Sequence, residues 1–487
     1  MIINISRIKE KLESIASKNI RRGNSQKALA AINAAASLQY YYNQQYADEK
    51  LEQTLRMLEK AYPPTVLEKT DLRERTIIFY DGFGLDTRGL ALIYLKALIQ
   101  LDYHVIYITK GEGEIRQPTI QNLLKQSSSV IEYLPRKITY ERKIKVLIEK
   151  FEEYKPEVAF FYTDPADVAA VLVFEHFAGV IERYQINLTD HAFWLGKYAF
   201  DYCIEFRNHG ASISQHERGI DSSRLRMLPY YPYIDEEIAF QGFPFESKDK
   251  QIIFSGGSLY KTFDQKGTYY KIVEKILGKH QEVIFLYAGE GDTSQLERLT
   301  NLFPQRVYYI HERKDLYQLM KHSTIYLNTF PMVGALMMQY AAAASLVPLT
   351  LKREDTTDTS DILKNQKELN LEFYEEEELL KEVDRLLTEK QYLDNKRKAV
   401  TDCVINGEKF CQNLGNILRH RDWNENTEYV KVDTEKFRKD FSHRFSGRFV
   451  EDAIVTRENL VLFSEFPAIF FQKIFRKMGS SLKKGKG

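Results

Sequence analysis

Short apolar runs alternate along most of the chain with segments in which apolar residues recur every three or four positions. The first example comprises a run at 76–80, the glycine-bearing loop 81–89, a helically spaced segment at 90–101 and a second run at 105–109. Such runs are typical of buried strands, and the order strand, helix, strand predicts a βαβ unit. Because the alternation continues, we predict a parallel, doubly wound lobe at 67–240.

The same alternation starts again at Gln251 with the run QIIFSGG and continues through EVIFLYAGEG, RVYYIHE, TIYLNTF and LVPLTL. The connector before it contains prolines and lacks helical spacing, so it marks a domain boundary. We predict a second Rossmann-like lobe at 241–425. Ligands of open α/β sheets bind beyond the carboxyl ends of the strands, so we expect the chemistry in a cleft between two facing lobes.

Both ends of the chain have helical patterns. Residues 1–66 carry Ala, Leu and Tyr at helical intervals up to Pro63 and Pro64, which predicts a helical extension that caps the main body. A module that docks a partner or acceptor is the alternative. Residues 426–487 end in the basic and aromatic string FSEFPAIFFQKIFRKMGSSLKKGKG. This tail predicts either an interfacial helix on anionic lipid or a terminal helix packed back across the lobes.

Composition limits the function classes. The 487 residues include 69 Lys and Arg and 68 Asp and Glu, so the net charge of +1 gives no reason to expect nucleic acid as a partner. Three cysteines without metal-site or disulfide spacing, Cys203, Cys403 and Cys411, fit a reducing cytosol. We recognise no leader and no run of about 18 apolar residues. We expect a cytoplasmic protein whose membrane contact, if any, is peripheral.

The stretch IIFSGGSLYKTFDQKG has the parts of a phosphate site. Gly256 and Gly257 permit a sharp turn and close backbone approach, and Ser258 offers a hydroxyl. The helix that follows would point its positive end at the ligand. Lys261 and Lys266 add full charges suited to phosphate. We predict that this loop binds the diphosphate of a nucleotide; an ordinary surface turn with exposed lysines is the alternative.

A second stretch, YLNTFPMVGALMMQY, has similar parts. A predicted strand ends before Thr329, and Gly334 opens a helix. The first free amides of that helix, including those of Ala335 and Leu336, suit a phosphate. Between the two stretches, Arg313 follows another predicted strand and could meet a nucleotide base. We therefore expect three strand-end loops to converge on one donor site.

These motifs resemble those of the GT-B glycosyltransferases, in which two facing Rossmann-like lobes bind a nucleotide-sugar donor in the second lobe. LNTFPMVG resembles the D-T-x-P-x-x-G loop of the O-GlcNAc transferase and bacterial protein N-glucosyltransferase family, and GSLYK resembles its lysine-bearing loop. The resemblance implies that Lys261 binds the diphosphate, Arg313 lies near the base and the amides after Gly334 hold the pyrophosphate. The family's His-Thr-Thr run is replaced by residues 335–337, and its Asp by Asn328.

A second resemblance concerns the stereochemical class. Lys261, Lys266 and Gly267 resemble the Arg-x4-Lys-Gly loop of retaining GT-B enzymes, but the E-x7-E pair of those enzymes is absent at 333–341. We lean away from that class, and the anomeric outcome is not readable. The resemblance also implies that catalysis needs no bound metal and no cofactor. The expected donor is a nucleoside-diphosphate sugar, with UDP as the favoured nucleotide.

The first lobe contains a second candidate for chemistry, NLTDHAFWLG. Asp190 and His191 follow a predicted strand. His191 could take the proton of an acceptor hydroxyl, and Asp190 could orient its imidazole. A structural pair that caps the next segment is the alternative. Trp194 could stack on a sugar of the acceptor or fill the core.

Two further segments carry polar residues that could contact ligands. In YDGFGLDTRGL the acceptor candidates are Asp81, Gly84, Asp86 and Arg88, and the spacing misses the G-x-G-x-x-G fingerprint of NAD sites. Downstream, one or two members of a charged group could reach the donor phosphates, although a surface cluster accounts better for most of it. That group comprises Arg207, His209, His216, Glu217 and Arg218.

We hypothesise from these features a hexose-type glycosyltransferase that acts at or near the inner face of a bacterial membrane. Its acceptor would be a surface glycan, a lipid-linked molecule or a protein, and the sequence names neither sugar nor linkage. One alternative is a catalytically silent GT-B subunit that binds an acceptor or partner. Another is a sugar-nucleotide epimerase of the same fold, which would need acidic residues near the sugar where this chain has Gly334 and Ala335.

Overall fold

A computed structural model gives the fold, and contacts between residues divide the chain into two compact units. Unit 1 combines Met1–Leu228 with Cys411–Gly487, and unit 2 is Pro229–Phe410. The contacts thus group the amino-terminal extension with the first lobe, and the chain rejoins unit 1 before the predicted boundary at residue 425. The structure describes residues 4–87, 89–110, 117–135, 137–352, 361–364, 366–421, 429, 433–435 and 448–484.

The amino-terminal extension forms three helices, α1 Ile5–Arg21, α2 Ser25–Tyr42 and α3 Glu49–Glu59. Each begins at a short polar residue whose side chain accepts a hydrogen bond from a first-turn amide, Asn4 for α1, Asn24 for α2 and Asp48 for α3. The alanines of α2 are all fully buried, which lets neighbouring helices approach its backbone closely. The extension is therefore part of the unit 1 core.

The sheet of unit 1 has seven parallel strands in the order β3-β2-β1-β4-β5-β6-β7. Its central strands read as continuous apolar runs because helices cover both faces. The strands are β1 Arg73–Asp81, β2 His104–Lys110, β3 Val130–Leu134, β4 Pro156–Tyr162, β5 Glu182–Ile186, β6 Tyr202–Glu205 and β7 Leu225–Met227. The helices between them are α4 Ala91–Gln100, α5 Pro118–Lys125, α6 Tyr140–Tyr154, α7 Val168–His176 and α8 Asn208–His216.

Unit 2 repeats this design with a six-stranded parallel sheet in the order β10-β9-β8-β11-β12-β13. Its strands are β8 Gln251–Gly256, β9 Val283–Ala288, β10 Val307–Ile310, β11 Ile325–Leu327, β12 Val347–Leu351 and β13 Glu372–Phe373. Its helices include α9 Thr268–Lys279, α10 Ser294–Leu302, α11 Leu316–Lys321, α12 Ala335–Ala343, α13 Glu376–Thr388 and α14 Lys390–Thr401. The predicted alternation of strands and helices is confirmed in both units.

The carboxyl-terminal part contains α15 Gly407–Arg419, α16 Arg448–Ile454 and α17 Pro467–Lys484. Helix α16 packs on α2 and on α17. Phe466 and Phe470 lie buried in the same core as the amino-terminal helices. Within the described ranges, no helix is both long enough and apolar enough to cross a bilayer. The three cysteines are buried and free.

Candidate functional site

The loops after β8 and β9 in unit 2 interlock through their backbones. The Gly257 amide donates to the Ala288 carbonyl at 2.9 Å, and the Leu259 amide donates to the Glu290 carbonyl at 2.9 Å. A Cβ on Gly289 would stand 2.0 Å from the Gly257 oxygen, so only glycine fits there. At the carboxyl ends of β8 and β9, the backbone at Gly257 and Gly289 therefore carries no side chains.

The two predicted donor loops are in direct contact. Lys261 lies half-buried in a short 3-10 turn, Leu259–Thr262, and its carbonyl accepts a hydrogen bond from the Met332 amide at 3.2 Å. Ser258 and Lys266 are exposed on the same loop. The glycine turn and the NTFPMVG loop thus form one surface, as a joint donor site requires.

The amino-terminus of α9 differs from its expected role. Asp264 accepts hydrogen bonds from the Thr268 amide at 2.8 Å and from the Thr268 hydroxyl at 2.6 Å. A carboxylate therefore already occupies the positive end of this helix, where it satisfies a first-turn amide. This end of α9 is capped by the chain itself and would repel a phosphate.

Asn328 organises the loop that leads to α12. Its Oδ1 atom accepts hydrogen bonds from the amides of Thr329 and Gly334, both at 2.9 Å, and its Nδ2 atom donates to the Thr350 hydroxyl at 3.1 Å. Thr329 is buried, and its hydroxyl donates to the Met332 carbonyl at 2.5 Å. Asn328 and Thr329 therefore shape the loop from within, and the Thr329 hydroxyl is engaged by the loop itself.

The first turn of α12 lies against the glycine turn. An added Cβ on Gly256 would come within 2.8 Å of the Met337 Cε atom. The amides of Ala335, Leu336 and Met337 fall in the first turn of α12, where backbone amides have no acceptor within their own helix. These amides and the glycine turn are the groups in unit 2 best suited to a diphosphate.

The Arg313 side chain is hydrogen-bonded within unit 2. Its guanidinium forms a two-pronged contact with the Asp315 carboxylate and donates to the Gly242 carbonyl at 2.8 Å. Asp315 also accepts from the Gln241 amide at 2.8 Å. Arg313 therefore anchors the connector before β8, and a contact with a nucleotide base would require it to leave these partners.

In unit 1, two of the acceptor candidates shape the backbone. Asp81 is fully buried and accepts hydrogen bonds from the amides of Phe83 and Gly84, both at 2.9 Å. Asp86 accepts from the first-turn amides of α5. Gly84 has a φ of 65° and lines a cavity. Arg88 lies outside the described residues.

That cavity of about 450 Å³ opens at the carboxyl ends of β1 to β4, where α/β sheets bind ligands. Helix α2 contributes one wall, and α16 together with the chain after it contributes another. The aromatic residues Tyr41, Phe83 and Tyr140 line it, together with the side chains of Asp164 and Lys110. Rings and hydrogen-bonding groups in this combination suit a sugar.

Two carboxylates that line the cavity have pKa values shifted in opposite directions. Burial, with a contribution from neighbouring Asp167, raises the pKa of Asp164. Burial acts the same way on Asp167, but the Lys143 ammonium at 2.8 Å and the Tyr80 hydroxyl outweigh it and lower the pKa of that carboxyl. Asp167 therefore stays ionised and neutralises Lys143, while Asp164 holds its proton to higher pH.

Asp190 and His191 follow β5, as expected. Their side chains meet at 3.3 Å, from the His191 Nδ1 atom to the Asp190 Oδ1 atom, and the His191 side chain is 32% exposed. Burial opposes ionisation of Asp190, but the Arg207 charge and the hydrogen bonds from His191 and Arg207 hold the pKa of its carboxyl well below its usual range. This geometry suits an oriented imidazole that can accept a proton from solvent-side ligands.

The expected surface cluster after β6 is mostly interior, which corrects that part of the sequence interpretation. Arg207, His209 and Arg218 are at most 6% exposed, whereas His216 and Glu217 are exposed. Arg218 donates to the backbone carbonyls of residues 189, 190 and 192 and supports the loop that carries the Asp-His pair. The buried group is therefore a scaffold for that pair.

Trp194 lies in the core beside Phe200 and Cys203, and its ring faces the Arg218 guanidinium at 5.0 Å. Only 4% of the residue is exposed, so this placement favours the core role over stacking on a sugar. Across the described ranges, no group of three or more His, Cys, Asp and Glu side chains is arranged to hold a metal ion.

Sequence reasoning missed three features of these sites. Gly289 and Gly291 belong to the interlocked loops, and the string AGEG was their visible signal. Gly210 lets α8 approach the buried carboxylates, because a Cβ there would come within 2.6 Å of Glu205 and 2.9 Å of Asp190. The unit 1 cavity had no signal in the sequence, since its lining residues are far apart along the chain.

No protein-family model matches the sequence, and no curated protein is significantly similar to it. Solved structures are similar in fold. The O-GlcNAc transferase of Thermobaculum terrenum, solved as a mutant, is 13% identical with a TM-score of 0.52, over 89% of this chain and 85% of that chain. A glycosyltransferase from Rickettsia africae is 13% identical with a TM-score of 0.50, over 71% of this chain and 99% of that chain. This chain therefore has the GT-B fold of these glycosyltransferases.

Proposed function

We propose that this protein is a glycosyltransferase that transfers a hexose-type sugar from a nucleoside-diphosphate sugar. The observation that carries the proposal is the hydrogen bond from the Met332 amide to the Lys261 carbonyl, because it joins the two predicted donor loops into one surface. Bare glycine backbone, first-turn amides of α12 and a lysine then lie on neighbouring loops. Positive charge and backbone amides of this kind suit a diphosphate.

In the proposed reaction, an acceptor hydroxyl oxygen bonds to the anomeric carbon while the bond from that carbon to the diphosphate oxygen breaks. The leaving diphosphate takes the electron pair, and Lys261 and the α12 amides stabilise its added charge. His191 takes the hydroxyl proton, and Asp190 stabilises the imidazolium that forms. No step requires a metal or a cofactor, and UDP is the nucleotide we propose.

The unit 1 cavity is proposed to bind a sugar of the acceptor other than the one that reacts, because His191 is not among the residues that line it. Its aromatic rings can stack on a sugar, and its carboxylates can accept hydrogen bonds from hydroxyl groups. A glycan, lipid-linked or protein-bound sugar of a bacterial surface fits this chemistry. The reaction would take place in the cytoplasm at the inner face of the membrane.

A silent GT-B subunit is the second candidate, and two observations favour it. Asp264 closes the end of α9 that a donor phosphate would use, and Arg313 is committed to Asp315. An epimerase gains no such support, because Gly334 and the first residues of α12 supply no carboxylate near the proposed sugar position.

A panel of UDP-, GDP- and TDP-sugars tests the proposal. A donor that binds the folded state should raise the melting temperature, and the purified protein should slowly hydrolyse that donor without an acceptor. Binding without hydrolysis or transfer to any acceptor would favour the silent subunit. If no nucleotide sugar changes the melting temperature or is consumed, the transferase proposal fails.

A further inference from the structure

Large apolar side chains are exposed close together near the carboxyl end of unit 1. We call them the apolar face, and each is between 41% and 67% exposed. The turn before α17 and the first half of α17 contribute three each. They are Leu460, Val461, Phe463, Phe471, Ile474 and Phe475. Exposed apolar surface of this density in a folded unit marks an interaction site.

Helix α17 has two apolar sides with different environments. Phe466, just before the helix, and Phe470 are buried in the unit 1 core, which fixes the helix against the body. Phe471 and Phe475 are four residues apart and face outward. The Phe471 ring contacts the Phe463 ring at 5.6 Å, so the turn and the helix form one continuous surface. The tail thus packs back on unit 1 and presents an apolar side outward, and its contact with lipid stays a prediction.

The sequence from Phe466 onward is basic. Residues 466–487 contain six Lys and Arg and no Asp or Glu. Lys473 pairs with Asp452 at 2.9 Å, and Arg476 pairs with Glu451 at 3.1 Å, so these two cations hold α17 on unit 1. The other four cations of the segment are Lys477, Lys483, Lys484 and Lys486. Exposed rings in a segment whose sequence adds four further lysines match the interface of an anionic bilayer.

We propose that the apolar face docks on anionic lipid, with its rings at the headgroup level and the lysines near the phosphates. The docking does not depend on catalysis. One consequence rests on the proposed function: Asp452 both pairs with Lys473 and lines the unit 1 cavity, so docking would place that cavity beside the bilayer. A lipid-linked acceptor could then reach it without leaving the membrane.

Co-sedimentation of the full chain with vesicles tests the docking. We expect binding to vesicles of phosphatidylcholine with about 30% phosphatidylglycerol, and at least about tenfold weaker binding to pure phosphatidylcholine. The double variant Ile474→Gln/Phe475→Gln should bind the anionic vesicles at least about tenfold more weakly. Glutamine keeps helix propensity and both positions are exposed, so the melting temperature should stay unchanged.

The matched control is Met57→Gln/Val66→Gln, which removes two exposed apolar side chains elsewhere on unit 1 and should bind vesicles like the parent. Equal sedimentation of parent and Ile474→Gln/Phe475→Gln would overturn the proposal. The proposal would also fail if neither protein bound vesicles and the parent self-associated but the variant did not. The apolar face would then bind a second copy of the chain. Donor melting shifts, measured separately, distinguish failure of docking from failure of the transferase proposal.

Discussion

Arg207 binds the Asp190 carboxylate with two hydrogen bonds, from Nε to Oδ2 at 2.5 Å and from Nη2 to Oδ1 at 2.8 Å. Both residues are almost fully buried. The pair keeps Asp190 ionised in the interior and leaves Oδ1 in reach of His191. A buried ion pair that supports an accessible imidazole is an arrangement suited to general-base chemistry.

Replacing His191 by Ala should lower turnover by roughly 10²- to 10⁴-fold, the usual contribution of a general base. Donor affinity should not change, because the proposed role of His191 is to take the acceptor proton and it is not one of the groups proposed to bind the diphosphate. Initial rates and donor titrations measure the two quantities. His216→Ala is the control, since His216 is exposed on the same unit. Full activity of His191→Ala would make the Asp-His pair structural.

Replacing Lys261 by Ala should weaken donor binding by about 1.5–3 kcal/mol, the value of a hydrogen bond to a charged group. That energy corresponds to a roughly ten- to hundredfold higher Kd for UDP, measurable by calorimetry. Lys266→Ala is the comparison on the same loop, and we expect a smaller effect because Lys266 is exposed whereas Lys261 is half-buried beside the α12 loop. The reverse order would favour the loop resemblance to retaining enzymes.

Replacing Gly289 by Ala should disrupt the interlocked loops, because its Cβ would stand 2.0 Å from the Gly257 oxygen. We expect a lower urea midpoint together with lost donor binding. Gly278→Ala is the matched control in the same unit: it lies in α9 with open space around it, and Ala should be neutral or stabilising by up to about 1 kcal/mol. Equal midpoints for the two variants would contradict the interlocked packing.

Replacing Glu52 by Gln should change how stability depends on pH. Glu52 is 1% exposed, and burial raises its pKa from 4.5 to about 7. Between these values the unfolded chain loses the proton while the folded protein keeps it. The free energy of unfolding should therefore fall as pH rises through this window, by on the order of 3 kcal/mol from this group.

Urea unfolding at about pH 4.5 and at about pH 7.5 measures the change in the free energy of unfolding. Glu52→Gln should remove the part of this fall in unfolding free energy that comes from Glu52. The part from Glu175 should remain, because burial also raises the pKa of Glu175 to about 7. Glu10→Gln, at an exposed position of α1, should behave like the parent. A parent whose stability does not fall over this range would contradict the assignment.

The sequence by itself determined the order of strands and helices. Apolar runs such as 76–80 and 252–254 have to be buried on both sides, and the helical segments between them can cover a parallel sheet on both faces. The strand-end position of the glycine turn, of Gly334 and of Asp190 followed from the same pattern. Local spacing is sufficient for these features because each depends on residues that are neighbours in the chain.

Only the tertiary structure decided which polar side chains are available to ligands. Asp81, Arg313 and Asp264 sit at strand or helix ends as a ligand site requires, but each is already engaged by backbone groups or by another side chain. The unit 1 cavity also depends on helix α2 and on Asp452, which are hundreds of residues apart. Hydrogen-bond partners that are distant in sequence leave no local pattern. The sequence therefore predicted the fold but not which polar side chains are already hydrogen-bonded within the protein.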